Sequence, residues 1–432
     1  MIHYVSTRDA AKTPVTFEEA LLRGLAPDGG LYLPTEVPKV EPSVWQNADS
    51  LVDIGVAVLG AWLAEEIRPE VLAPIVRDAL NFPTPVVQLT GDVWVLELFH
   101  GPTLSFKDVG ARTMARLMQH FLDARGERRI ILVATSGDTG SAVADGFAGM
   151  DNIEVVLLYP KNKVSEVQER QLIAARPGVR SFAVAGTFDD CQRLVKEAFR
   201  DEALAHLPLS SANSINIGRL LPQSLYYLWA AGQVRAQIGV DSLNFCVPSG
   251  NLGNLTGGVL AALTGQRVNR FIAAHNANHF FPDFLTSEAE AYDFSPTVAT
   301  VANAMDVGSP SNFERLHGLM STDRLREWVW GTSVLDAATL ARVESVYREH
   351  GYLACPHTAV GLEGVARYRA ATGDDTPVIS LACAHPAKFP RAISRATGVD
   401  TPKEEALEAL KSSAVNVEDL APDLEALRQA LL

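Results

Sequence analysis

A single lysine, Lys107, stands between a turn and a predicted helix start in the segment His100-Gly101-Pro102-Thr103-Leu104-Ser105-Phe106-Lys107-Asp108. An amine there is either a solvated charge or, in a partly desolvated pocket, a nucleophile able to form a Schiff base near neutral pH. Asp108 reads as a helix cap. Further along, Ser136-Gly137-Asp138-Thr139-Gly140 is a turn of small residues opening a helix. Its amides and hydroxyls either hold a carboxylate or phosphate at the helix N-terminus or only cap it. The run Ser249-Gly250-Asn251-Leu252-Gly253-Asn254, continuing Leu255-Thr256-Gly257-Gly258, follows an apolar β-branched stretch and precedes a helical one. Glycines there let the backbone approach an anion while the helix adds its dipole, so the run reads as a phosphate cradle. It fits neither G-x-x-x-x-G-K-[ST] nor G-x-G-x-x-G. Cys383-Ala384-His385-Pro386-Ala387-Lys388-Phe389 forms another such junction. A lone histidine before proline reads as a hydrogen-bonded structural residue, and His357 and Cys355 read the same way. There is no histidine pair with a glutamate at i, i+4 and no C-x-x-C, so no metal is expected.

These residues need elements to position them. From Trp94 onward, short β-branched runs alternate with longer helical patterns: VWVLELF, a helix over 108–125, RIILVAT, a helix over 140–149, IEVVLLYP, VRSFAVAG, a helix over 189–200, a single long helix over 218–237, SLNFCVPS, RFIAAH and PVISLAC. That rhythm predicts an α/β chain with mostly parallel, buried sheets. In such sheets ligands lie beyond the carboxyl ends of strands, which is where the unusual junctions fall. The first ninety residues read as a separate unit, with helical patterns over 17–25, 51–66 and 71–80 and punctuation at Pro83 and Pro85. The expected organisation is an N-terminal helical domain (1–90), a smaller α/β lobe carrying the lysine and the Ser136 turn (91–225), and a larger α/β lobe carrying the cradle and C-terminal helices (226–432).

Composition narrows the function classes. The 432 residues are 47% hydrophobic and carry 37 Lys plus Arg against 51 Asp plus Glu, a net charge of −14. A globular chain with no overall basic footprint is expected to bind neither nucleic acid nor a membrane surface. An anionic ligand must then be held by a few local cations and amides against the summed field. Four dispersed cysteines and no basic-then-apolar leader point to a reducing, cytoplasmic compartment. The longest apolar run, 54–64, is far short of the roughly 20 residues of a membrane span and reads as a buried helix.

Taken in order, GPTLSFKD, ATSGDTGSA, NSINIGRLLPQ, PSGNLGNLTGG, NAMDVGSP with SNFER, and CAHPAKFP resemble the threonine synthase family. These are pyridoxal-phosphate enzymes of fold type II, related in architecture to the tryptophan synthase β chain. The resemblance runs from PDGGLYLP to Lys388. It implies a pyridoxal 5'-phosphate cofactor bound covalently to Lys107, which would also shuttle protons as acid and base. The cofactor phosphate would sit in the Ser249–Asn254 loop, and Cys383 would stand near the pyridine nitrogen, where the family usually has threonine. Ser136, Gly137, Asp138, Thr139 and Gly140 would hold the substrate α-carboxylate. Asn213, Ser214, Asn216 and Arg219, with Lys163 and Ser165, would lie near the substrate phosphate. The implied reaction turns O-phospho-L-homoserine and water into L-threonine and phosphate, in forms able to work as monomers. Two other readings stay open on the sequence: a threonine or serine dehydratase-type lyase, which Cys383 favours, and a non-catalytic pyridoxal-phosphate binding protein.

Overall fold

The apolar β-branched runs fold into two largely parallel sheets, and the computed structural model describes residues 1–135, 137–287 and 294–432. The smaller sheet orders its strands Val417–Leu420, Val179–Val184, Ile153–Pro160, Arg129–Ala134 and Leu209–Ser210, all parallel. The larger sheet runs Val329–Ser333, Val268–His275, Leu243–Pro248, Val378–Ala382, Val93–Glu97 and Val86–Thr90, with only the last strand antiparallel. Every residue of Leu243–Pro248 and of Val378–Ala382 is buried, as expected of parallel strands covered on both faces. A short antiparallel pair, Tyr4–Ser6 with Tyr32–Pro34, opens the chain.

The lobes interleave along the sequence, which differs from the contiguous division at 91–225 and 226–432. Val93–Glu97, the strand that leads to Lys107, pairs with Val378–Ala382 and so belongs to the larger sheet. The C-terminal strand Val417–Leu420 crosses back to pair with Val179–Val184 in the smaller one. Parallel partners are joined through long crossovers, so local pattern identifies a strand without saying which sheet receives it. The predicted helix over 218–237 is also divided: Ile217–Leu220, one 3₁₀ turn over Leu221–Ser224, then Leu225–Ile238. Pro222 lacks the N–H that a continuous α-helix would need.

The run 54–64 becomes the helix Leu51–Leu63, N-capped by Ser50, whose hydroxyl accepts from the Asp53 amide. It packs with Pro69–Ala79 and with Leu225–Ile238. The last helix is buried nearly all round, so close approach matters. A Cβ on Gly232 would collide with the Trp45 carbonyl oxygen. Gly232→Ala is therefore expected to destabilise the fold by about 1–3 kcal/mol, read as a lowered chemical-denaturation midpoint. Among the described residues no helix is long and apolar enough to cross a membrane.

Candidate active site

The carboxyl ends of strands from both sheets meet at one cavity of about 110 Å³. Lys107, Asp138, Thr139, Arg219, the 249–254 loop, His357 and Cys383 all line it. A wider depression of about 910 Å³, bordered by the N-terminal unit, shares Ala134, Asn213 and Asn251 with it and forms its mouth.

Lys107 is the first residue of the 19-residue helix Lys107–Arg125. The loop before it is fixed from both sides. Asp108 is not the N-cap, a place taken by Phe106; its buried carboxylate accepts from the Thr103 amide and hydroxyl and closes the 101–103 turn. A Cβ on Gly101 would meet that carboxylate at 2.5 Å. The Phe106 amide donates to the Cys383 carbonyl at 2.9 Å and the His385 amide donates to the Leu104 carbonyl at 3.0 Å, which ties the lysine loop to the end of Val378–Ala382. Burial pushes the Lys107 ammonium below its ordinary pKa; Asp138 opposes this, while Arg219 and Lys388 add to it. The positive end of the helix dipole acts in the same direction as burial. Lys107 thus has the character of an amine that gives up its proton readily. Burial likewise pushes the Asp108 carboxyl up to about 6, against the Thr103 hydrogen bonds.

Across the cavity, Leu243–Pro248 leads into the 249–252 turn and the helix Gly253–Thr264. Leu252, at φ 60°, adopts the left-handed conformation that turns the chain into the helix. The amides of Gly253, Asn254 and Leu255 then have no intrahelical partner. Tyr226 and Tyr227 both donate their hydroxyls to Asn254 Oδ1, each at 2.7 Å, so the side-chain amide has a fixed orientation. Its Nδ2 is buried without a partner. A row of free amides at a helix N-terminus plus an orphaned, oriented NH₂ is the donor set of a phosphate monoester site, and it fits pyridoxal phosphate. Gly250 closes the turn against Met305, whose Cα and carbonyl oxygen lie 2.8 and 3.1 Å from where a Cβ would stand. Gly250→Ala must shift backbone, and a cost of about 1–3 kcal/mol predicts roughly 5- to 100-fold weaker pyridoxal-phosphate affinity in an absorbance titration.

Arg219 is 2% exposed. Its Nη1 donates to the Ala212 carbonyl at 2.6 Å, its Nε has no partner, and it makes no ion pair among the described residues. Burial lowers the guanidinium to about 10, opposed by Asp108, so it stays charged at neutral pH. Beside it, Asn213 anchors its amide to the Ala134 carbonyl at 3.1 Å and leaves Oδ1 unpartnered. Ser214 Oγ accepts from Asn251 at 2.8 Å and from Asn312 at 3.2 Å, keeping its own proton available. The cavity therefore holds Lys107, an unpartnered cradle amide and a buried guanidinium within one lining, with Ser214 bridging toward the cradle through Asn251.

Comparison with known proteins identifies the family, the fold and the cofactor. A family model described as pyridoxal-phosphate dependent enzyme matches residues 78–384, and models for the threonine synthase N terminus and C-terminal part match 3–80 and 358–431. Threonine synthase of Escherichia coli is 40% identical over 97% of this chain and 96% of its own, and that of Haemophilus influenzae is 38% identical over 97% of both. The chain belongs to the threonine synthase family. It is a pyridoxal-phosphate-dependent lyase of fold type II. The pyridoxal-phosphate-bound threonine synthase from Brucella melitensis superposes with a TM-score of 0.91 at 36% identity, covering 100% of this chain and 99% of that one. The Escherichia coli threonine synthase structure gives the same TM-score at 37% identity, covering 99% of both chains.

The family motifs do not all deliver their side chains to the cavity. In NSINIGR, Asn213, Ser214 and Arg219 line it, whereas Asn216 is turned away. The Asn216 amide donates to the Leu21 and Ser211 carbonyls, each at 2.9 Å, and its Oδ1 caps Gly218, so all its polar capacity is structural. Lys163 is exposed on the turn after Ile153–Pro160 and lines neither cavity nor mouth. Ser165 makes a capping box with Gln168 at the start of Glu166–Ile173. In the small-residue turn, Ser136 lies outside the described residues. The Gly137 and Gly140 amides donate to Thr135 Oγ1 at 3.1 and 2.8 Å, which leaves Thr139 and the helix start facing the cavity. The Asp138 side chain does not suit a carboxylate ligand: it is itself a carboxylate paired with Lys388 at 2.7 Å. Burial alone would raise it, but Lys388, Lys107 and His357 hold it well below the usual carboxylate range. Ser249 donates its hydroxyl to the Val247 carbonyl at 2.9 Å. Cys383 lines the cavity as a neutral thiol, with burial pushing its pKa well up.

His357 and Lys388 are the residues that sequence reading left as background. His357 lies at the start of Pro356–Thr372 and accepts from the Ala304 amide through Nε2 at 3.1 Å, which places its proton on Nδ1. Burial pushes it down to about 4, against Asp138, so it is neutral. The only sequence signal for it was a polar cluster, Cys-Pro-His-Thr, opening a helix.

Proposed function

We propose that this chain converts O-phospho-L-homoserine and water into L-threonine and inorganic phosphate. The observation that carries the reading is Arg219, a buried guanidinium with no carboxylate partner among the described residues, lining the same cavity as Lys107 and donating to the Ala212 carbonyl instead of to the Leu252–Asn254 cradle. One anion site suits the cofactor phosphate and the other suits a substrate that is itself a phosphate monoester. An Arg in that position can pair with phosphate in a bidentate manner. A serine or threonine dehydratase would have no anion for it to meet beyond the α-carboxylate.

Pyridoxal phosphate, when bound, supplies an electron sink that makes the substrate Cα and Cβ protons acidic. The Gly253, Asn254 and Leu255 amides and Asn254 Nδ2 would hold its phosphate. Cys383, neutral and without a charge to offer, would leave its pyridine nitrogen unforced toward the cationic state. Lys107 Nζ, lowered in basicity by burial and the helix dipole, takes the Cα proton and then a Cβ proton and returns two protons to the product, one at Cγ and one at Cα. Arg219, with Asn213 and Ser214, holds the phosphate at Cγ and stabilises its charge as it leaves with the C–O electron pair. Water then adds its hydroxyl at Cβ, its other proton going to the departing phosphate, and Cγ ends as a methyl group. Thr139 and the amides at the start of Asp138–Phe147 are left to meet the α-carboxylate. Four buried, unpaired thiols support a reducing, cytoplasmic setting.

Substrate ranking tests the reading. O-phospho-L-homoserine should turn over, whereas L-threonine or L-serine offered alone should release ammonia at a rate lower by about two orders of magnitude or more, the level of discrimination expected when a buried cation is left without its anion. The opposite ranking would reassign the site to a dehydratase.

A further inference from the structure

One buried cation, paired with a carboxylate that lines the cavity, has no place in the chemistry above. Lys388, in the single turn Pro386–Lys388 after Val378–Ala382, has a completely buried side chain. Its Nζ lies 2.7 Å from Asp138 Oδ1 and donates to the Thr103 carbonyl at 3.0 Å. The same carboxylate oxygen accepts from Gln168 Nε2 at 3.0 Å. Gln168 is fixed in turn by Asn303, which donates to its Oε1 at 3.0 Å. Lys107 faces the same carboxylate across the cavity yet makes no ion pair among the described residues. Burying an ion pair seldom adds net stability over an apolar replacement, so stability alone does not account for one whose carboxylate lines the cavity.

We propose that Lys388 is a positioning residue that occupies the Asp138 carboxylate, so that Lys107 is left as a free amine able to act as nucleophile and base. Without Lys388 the natural counter-ion of Asp138 would be the Lys107 ammonium, and a protonated lysine has no lone pair to attack or to take a proton. The other groups facing Lys107 do not replace it. Arg219 is a second cation, Cys383 and His357 are neutral, and Asp108 on the same helix turns its carboxylate to Thr103. The electrostatic effects on Lys107 have the matching signs: Asp138 holds its proton on and Lys388 drives it off. The proposal rests on Lys107 being the amine that binds the cofactor.

The test uses the full chain freed of cofactor, with added pyridoxal phosphate and the absorbance of the covalent adduct followed against pH. Only the deprotonated amine reacts, so the pH midpoint for adduct formation reports Lys107. In Lys388→Met the midpoint should move to higher pH by about one unit or more, as for an amine that gains an adjacent carboxylate. In Asp138→Asn, where Lys388 is left as an uncompensated cation beside it, the midpoint should move to lower pH. In the double variant the two changes should largely cancel. An unmoved midpoint in folded Lys388→Met, or an alkaline shift that persists in the double variant, overturns the proposal. Should Lys388→Met fail to fold, Asp138→Asn alone decides: an acid shift supports the proposal, and no shift or an alkaline one overturns it. Lys107→Ala serves as the control: an adduct of the same absorbance in that variant would show that the reading of Lys107 has failed, rather than the role of Lys388.

Discussion

Lys107→Ala is expected to lose at least about 10²–10⁴-fold in turnover, with no covalent cofactor absorbance but retained non-covalent binding. The size of the loss follows from how many steps depend on one amine. Among the described residues Lys107 is the only amine lining the cavity, and Lys388 is held by Asp138 and the Thr103 carbonyl. The retained binding follows from how the cradle is built: the amides of 253–255 and Asn254 Nδ2 are set by the Leu252 turn and by hydrogen bonds from the two tyrosines, not by Lys107. Equilibrium dialysis of pyridoxal phosphate beside initial-rate measurements reads both parts. Near-normal turnover without added amine would remove Lys107 from the chemistry. Full turnover loss together with loss of all cofactor binding would mean that the two anion features do not act separately.

Arg219→Ala is expected to raise the KM for O-phospho-L-homoserine by roughly 10- to 100-fold, the worth of about 1.5–3 kcal/mol for a charge-assisted hydrogen bond, while leaving cofactor absorbance unchanged. Arg219 is charged at neutral pH despite burial, and among the described residues its guanidinium pairs with the Ala212 carbonyl and with no carboxylate. On the proposed function, removing it deletes the charge that would pair with the substrate phosphate. Arg219→Lys should recover only part of the effect, since a point charge cannot make the bidentate pair. Steady-state kinetics on both variants check this. An unchanged KM would make Arg219 a structural anchor for the Ala212 carbonyl. A parallel loss of cofactor absorbance would assign its charge to the cofactor phosphate.

Much of the site was legible because its chemistry is local. A lysine directly after a turn, and Gly-Asn-Leu-Gly-Asn between an apolar strand and a helix, carry their geometry within a few residues. Leu252 at positive φ and the free first-turn amides are what such a segment must produce. Asn216 was not legible, because it sits in the same motif as Asn213 and Arg219 and only the course of the chain shows its amide capping Ser211 and Leu21 carbonyls. Lys163 and Ser165 are similar: the turn after Pro160 carries the first outward and the helix start takes the second as a cap. Asp138 illustrates a different limit. Its place in the small-residue turn suggested ligand binding, but its partner Lys388 comes from the far end of the chain and from the other sheet. The sheet memberships of Val93–Glu97 and Val417–Leu420 were hidden for the same reason, since parallel pairing joins strands distant in sequence. His357 was hidden by its ordinary helix-start context.

The most direct measurement is the stoichiometry of products from O-phospho-L-homoserine with the purified, pyridoxal-phosphate-loaded protein, with ammonia and 2-oxobutyrate followed in the same reaction. The proposed function predicts one inorganic phosphate for each L-threonine formed, with little ammonia. Ammonia and 2-oxobutyrate in place of threonine, or no phosphate release at all, would contradict the assignment of the cavity.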